Sequence, residues 1–161
     1  MNRLRHSLAA AALAFCLATP AFAGAPLYDV GGHLSDGQAA RSITAEDLAK
    51  IGETEIDTTI FVMGVEKHKV RGVLMRDLAK FVGASGETVK LTALDGYALD
   101  IPMSDFQAYD AVVATEIDGK PLSVRDKGPA WLIYPASDHP ELKDTVYESR
   151  MVWQIKTIEF N

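Results

Sequence analysis

Two Asp-Gly pairs constrain this chain more than any other feature. Asp95-Gly96 separates Thr88–Leu94 from Tyr97–Ile101, and Asp118-Gly119 separates Ala111–Ile117 from Pro121–Val124. A tight hairpin turn needs positive φ, which Gly adopts at no steric cost and Asp tolerates, so each pair predicts two adjacent antiparallel strands. A helical bundle is thereby excluded. Further strands are predicted near Leu27–Val30, over Val65–Val70, over Trp131–Tyr134, and over Glu55–Met63, where Ile56, Thr58, Ile60 and Val62 share one parity. A last strand is read over Met151–Phe160, and its apolar parity switches between Ile155 and Ile158, predicting a bulge near Lys156.

The helices are short. Thr44, followed by Glu46 and Asp47, reads as an N-cap with an acidic first turn opening a helix to about Ile51. Leu74, Leu78, Phe81 and Val82 fall at helical spacing before a Gly83 stop, and Ser104 is read as the cap of a helical turn reaching Tyr109. No repeat, low-complexity run or linker divides residues 24–161. The expected fold class is α+β: one β-rich domain with a mixed sheet and short helices.

The first 23 residues read differently. A basic head (Arg3, Arg5), an apolar block from Leu8 to Leu17, and the Ala-Phe-Ala end at Ala21–Ala23 form a secretory signal pattern. The apolar block is shorter than the roughly 20 residues a membrane span requires. Phe15 directly before Cys16 disfavours a lipoprotein cut there. Cleavage after Ala23 is expected to leave 138 of the 161 residues, with 14 basic side chains against 22 acidic ones and a net charge of −8. Cys16 is the single cysteine of the chain, so the expected product is an acidic, cysteine-free periplasmic domain. Such a charge excludes a general nucleic-acid binder, which needs Lys and Arg in excess to displace counterions.

Most catalytic signatures are absent. His33, His68 and His139 are widely separated and show no paired-ligand spacing for a metal. There is no Gly-x-Ser-x-Gly elbow and no phosphate-cradling glycine loop. What stands out is an aromatic and cationic cluster in the last third. Arg125, Asp126 and Lys127 precede Trp131 and Tyr134, and Ser149, Arg150 and Met151 precede Trp153. Two strands, each entered through an Arg and each carrying a Trp, can line a pocket that stacks and hydrogen-bonds a planar heteroaromatic ligand. The alternative is that both indoles fill the core and both guanidiniums are solvated.

At these residues the chain resembles the sulfite-oxidase-type molybdopterin-binding fold, in its small exported form. The resemblance runs from about Ile43 to Phe160. It rests on Thr44-Ala-Glu-Asp-Leu48, Val70-Arg-Gly-Val-Leu-Met-Arg-Asp-Leu78, Val124–Pro135 and Ser149-Arg-Met-Val-Trp-Gln-Ile-Lys-Thr-Ile-Glu-Phe160. It implies that catalytic members hold molybdenum through a thiolate in a region corresponding to Thr59–Met63, where this chain has no cysteine. It also implies that cationic cofactor anchors of the larger enzymes are replaced here by Trp131 and Trp153. Some small members are periplasmic pterin-binding regulators that dock on a membrane signalling enzyme, such as one controlling cyclic-di-GMP. On that resemblance the expected pterin site comprises Trp131, Trp153, Arg150, Ser149 and Phe61, with Met151, Arg125, Asp126 and Tyr134 behind them.

The expected function is therefore non-catalytic binding of a reduced pterin without metal, reported to the periplasmic part of a membrane partner. A molybdopterin-dependent oxidoreductase with an atypical metal site is the alternative, and a pure interaction module with a vestigial pocket is a third. An oxidoreductase label would follow from fold, which does not determine function.

Overall fold

The computed structural model describes residues 24–161 except 36 and 38. The expected export segment, residues 1–23 with Cys16, lies outside the described residues. In chain order the regular elements are β1 (Tyr28–Gly32), β2 (Ala40–Ile43), α1 (Ala45–Ile51), β3 (Thr54–Thr59), β4 (Lys67–Leu74), α2 (Met75–Phe81) and β5 (Thr88–Ala93). They continue with β6 (Ala98–Pro102), α3 (Met103–Ala108), β7 (Val112–Ile117), β8 (Lys120–Pro121), β9 (Trp131–Ile133), α4 (Thr145–Arg150) and β10 (Ile155–Phe160).

Both Asp-Gly turns close hairpins, β5–β6 and β7–β8. One sheet has the order β2-β1-β10-β5-β6, with β1 and β10 parallel and the other pairs antiparallel. The second has the order β3-β4-β7-β8, and β9 also pairs with β7. The α+β class and the mixed sheet hold. The bulge falls at Lys156, between the Ile155 and Thr157 pairings with β5.

α1 starts where its cap dictates. The Asp47 N–H donates to Thr44 Oγ1 at 3.4 Å, and the Thr44 N–H donates to the Asp47 carboxylate at 3.2 Å. This reciprocal box satisfies two helix-end donors and contributes about 1 kcal/mol. β4 carries a register irregularity between Arg71 and Gly72, where a Cβ on Gly72 would overlap the Val113 carbonyl. Glycine is required there by close approach of the neighbouring strand.

Three expectations need correction. The strand read over Glu55–Met63 ends at Thr59, because β3 pairs with β4 down to Thr59↔Lys67 and the chain must reverse within residues 60–66. Phe61–Met63 is instead a 3₁₀ turn, closed by the Met63 N–H donating to the Ile60 carbonyl at 2.8 Å. Ser104 does not cap α3, since β6 runs directly into it with Pro102 at the N-cap position. The segment before Trp153 is helix α4, capped by Asp144, whose carboxylate accepts the Val146 N–H at 2.8 Å. Trp153 thus sits in the connection between α4 and β10, not on a strand. The polar edge strand β2 had no apolar alternation to announce it.

In the second sheet, β9 and the first half of β7 are buried on both faces. Alternation along residues 131–134 sends Trp131 and Ile133 into a small cluster with Ile60, Val70 and Val112. Leu132 and Tyr134 join the main core with Val73, Leu91, Phe106 and Phe160. That parity decides what can reach the site.

Candidate functional site

Phe61 and Val62 of the 3₁₀ turn and the segment Met151–Trp153 border a cleft of about 440 Å³. Its wall includes Phe61, Tyr97, Glu148, Ser149, Met151 and Trp153. Trp131 is buried, and its indole N–H donates to the Met151 carbonyl at 3.0 Å. Trp153 meets it edge-on, with ring centroids 6.1 Å apart and planes at 87°. The inner indole is tied down and props the outer one, which is 40% exposed. Phe61 is 66% exposed on the same cleft. An exposed Phe beside a half-exposed Trp is the kind of surface that a flat ligand covers.

Lys127 completes this corner. Its ammonium lies 4.4 Å from the Trp153 ring centroid and 5.5 Å from that of Trp131. Its backbone is left-handed, with φ 69°, as is that of Gln154 at φ 52°. Such conformations cost a non-glycine residue about 1 kcal/mol or more and persist only where neighbours over-determine them. Here the Gln154 N–H donates to the Lys127 carbonyl at 2.9 Å, and Gln154 Nε2 donates to the Val124 carbonyl at 2.7 Å.

Of the residues expected at the site, Phe61, Ser149, Met151 and Trp153 line this cleft, and Trp131 stands behind it. The Ser149 hydroxyl donates to the Val146 carbonyl at 2.6 Å within α4. Arg150 and Tyr134 are elsewhere. Arg150 Nη1 reaches Asp105 Oδ2 at 2.6 Å, and the Tyr134 hydroxyl donates to the same oxygen at 2.8 Å. Trp131 and Tyr134 are three residues apart, so an extended chain puts them on opposite faces. The triad ties α3, the end of β9 and α4 together as structure. Arg125 and Asp126 lie on a 3₁₀ turn, Val124–Asp126, and border a separate groove of about 570 Å³. Asp126 accepts the Ser123 hydroxyl at 2.6 Å, not a partner across the cleft.

Sequence reasoning missed Glu148 and Tyr97, and it named Lys127 in the cationic cluster without assigning it to the site. Glu148 rides on the unforeseen helix α4. Tyr97 follows the Asp95-Gly96 turn, so the hairpin signal was itself a pointer to the cleft wall. The half-buried Glu148 carboxylate enters no ion pair among the described residues.

Two buried phenols link stability to alkaline pH. Burial first, and then the Asp105 charge, raises the Tyr134 hydroxyl well above the usual tyrosine range; burial and Asp47 do the same for Tyr28. A raised phenol keeps its proton in the folded chain while the unfolded chain ionises near pH 10. Stability is therefore fully present below about pH 10 and lost above it, by about 1.4 kcal/mol per pH unit for each phenol. Urea titrations between pH 8 and 11.5 should show this fall, and a flat profile above pH 10 would contradict it.

No family model matches the chain, and no curated protein matches it. Among solved structures, the fold is similar to that of the sulfane dehydrogenase SoxCD from Paracoccus pantotrophus, with a TM-score of 0.61 and 14% sequence identity. The match covers 83% of this chain and 37% of that one, so this chain spans little more than a third of its neighbour's length. The likeness is one of fold, the sulfite-oxidase type.

That fold raises the question of a molybdenum-bearing cofactor. Molybdopterin offers a metal that wants a soft thiolate partner and a phosphate that wants cations. The charged side chains on the cleft wall are Asp95 and Glu148, both carboxylates. No cysteine stands in Thr59–Met63, and no group of three His, Cys, Asp or Glu suited to a metal occurs among the described residues. The donor set of this cleft does not fit the group.

Proposed function

We propose that this chain is an exported, non-catalytic binding protein for a reduced pterin, which reports ligand occupancy to the periplasmic part of a membrane signalling protein. The observation that supports it best is the Trp153 indole, propped edge-on by buried Trp131 and sharing one cleft with Phe61 and Glu148. A pterin is a flat bicycle that stacks on an indole and presents an amino group beside a ring N–H. A carboxylate accepts both donors at once. Of the two cleft carboxylates, Asp95 already accepts the Tyr97 N–H at 2.9 Å, whereas Glu148 enters no ion pair among the described residues. The cleft volume falls within the range of small-ligand sites. The export step rests on the signal pattern at residues 1–23, and the signalling role on the sequence resemblance. Ligand binding would select one conformation of the cleft rim, and a partner touching that rim would read the difference.

Anaerobic titration with a tetrahydropterin, followed by tryptophan fluorescence and calorimetry, tests the binding step. Saturable quenching with a micromolar Kd is expected. No heat and no quenching up to millimolar ligand would overturn the reading. The fold likeness favours a second reading, a molybdopterin oxidoreductase with an atypical metal ligand. Stoichiometric molybdenum in protein isolated from its native compartment would decide for that one.

A further inference from the structure

The two most exposed large apolar side chains among the described residues, Val65 at 89% and Phe61, stand in the turn between β3 and β4. Val62 and Met63 of the same turn are exposed as well. The turn is nonetheless firmly held. Strand pairing runs up to Thr59↔Lys67, and Ile60 is buried in the small cluster below. The Met63 and Gly64 N–H groups donate to the Ile60 and Phe61 carbonyls at 2.8 and 3.3 Å. A Cβ added at Gly64 would meet nothing within 4 Å, so the tip stands clear of the rest of the chain. Four apolar side chains held outward on such a tip are unfavourable in water and mark a contact surface.

Cations flank the tip on both sides. Met63 borders the groove of about 570 Å³ together with Lys120, Arg125 and Lys127. Gly64 and Val65 border a smaller groove of about 230 Å³ with Lys143, and Lys67 opens β4 at the base of the turn. None of the five closes an ion pair among the described residues. The carboxylates beside them are Glu66, Asp118, Asp126 and Glu148. Asp118 pairs with His68 Nδ1 at 2.8 Å, and Asp126 accepts the Ser123 hydroxyl at 2.6 Å. Cations in excess around one apolar tip, in a chain with a net charge of −6, are a local reversal of sign.

We propose that this turn is a lipid-binding tip, by which Val62, Met63 and Val65 enter the headgroup region of an anionic bilayer while Lys67, Lys120, Arg125 and Lys143 meet its phosphates. The proposal is independent of the pterin reading and adds a surface at which the molecule is held. A Lys stem lays its methylenes along apolar surface and keeps its ammonium at the phosphate level. Two observations favour lipid over a protein partner. Four of the five flanking cations are Lys, a residue depleted from protein interfaces, and the tip is raised where a protein anchor site is recessed. A second copy of this chain would set cation against cation.

Co-sedimentation with protein-free vesicles tests it. The chain is isolated after export and its cleavage checked by mass, because an uncut Leu8–Leu17 block would bind lipid by itself. Vesicles of equal parts phosphatidylcholine and phosphatidylglycerol should bind about tenfold more tightly than phosphatidylcholine alone, and the advantage should shrink as salt rises. Val65→Glu should weaken binding to the mixed vesicles about tenfold. The double variant Lys120→Glu, Lys143→Glu should lose the preference for them. These three positions are exposed and lie off the cleft wall, so both variants should keep the parent's circular dichroism and tetrahydropterin affinity. No binding to mixed vesicles, equal affinity for the two vesicle types, or undiminished binding by Val65→Glu overturns the proposal and leaves the pterin reading standing. Binding only to native membranes that carry protein assigns the tip to a protein and overturns it too, as does a dimer in solution that Val65→Glu dissolves. Lipid binding as expected with no pterin bound supports the tip and sinks the pterin reading alone.

Discussion

Replacing Asp105 with alanine is expected to lower the unfolding free energy by about 3–5 kcal/mol, the usual cost of removing one partner from a buried charge pair. The Asp105 carboxylate is nearly inaccessible, and one of its oxygens serves both the Arg150 guanidinium at 2.6 Å and the Tyr134 hydroxyl at 2.8 Å. Alanine would leave a guanidinium and a phenol without a partner at a site that water barely reaches. Asp105→Asn separates the two contributions. The amide oxygen still accepts from one donor, so this variant should lose only about 1–3 kcal/mol. Urea denaturation with unchanged slope is the measurement, and a loss below about 1 kcal/mol for Asp105→Ala would show that the triad does not hold the fold. The same change should weaken pterin binding. Arg150 anchors the end of α4, and α4 presents Glu148 and Ser149 to the cleft.

That triad also shows why the site was only half legible in the sequence. The hairpins were readable because Asp-Gly between alternating runs has one cheap solution, and α1 was readable because Thr44 and Asp47 carry their own capping chemistry. Phe61, Met151 and Trp153 were reached through the pattern of aromatics and the family resemblance. Arg150 could not be placed that way. Its destination is set by Asp105, 45 residues earlier, and nothing local announces a buried carboxylate awaiting a guanidinium. Tyr134 was misplaced for a simpler reason, since its odd spacing from Trp131 already put the two on opposite faces. Glu148 stayed hidden because α4 has few apolar residues at helical spacing, and its best signal was the Asp144 cap. The errors at Arg150 and Glu148 thus trace to a tertiary partner and to weak amphipathicity. The Asp-Gly turns and the Thr44 cap were sound, and the Ser104 cap was not.

The two indoles should part company on mutation. Trp131 is a core residue, 1% exposed, packed with Ile60, Val70 and Ile133, so Trp131→Ala should cost about 3–5 kcal/mol of stability. Trp153 is 40% exposed and rests on Trp131 by its edge, so Trp153→Ala should cost no more than about 1 kcal/mol. Its effect on a tetrahydropterin should be far larger. Stacking one ring on an aromatic side chain contributes about 1–3 kcal/mol, roughly 5- to 150-fold in Kd at 25 °C. Calorimetry is the proper readout for this variant, because removing the indole removes a fluorescence reporter as well. Glu148→Gln complements it. The amide keeps one acceptor but loses the charge and the paired geometry, so affinity should fall about 10- to 100-fold with stability unchanged. If Trp153→Ala and Glu148→Gln each leave pterin affinity within twofold of the parent while Trp131→Ala still unfolds the chain, both indoles are packing, and the cleft is not where a pterin binds. If the first two lose affinity and keep their stability, the outer indole and the carboxylate are recognition groups on a scaffold that does not need them to fold.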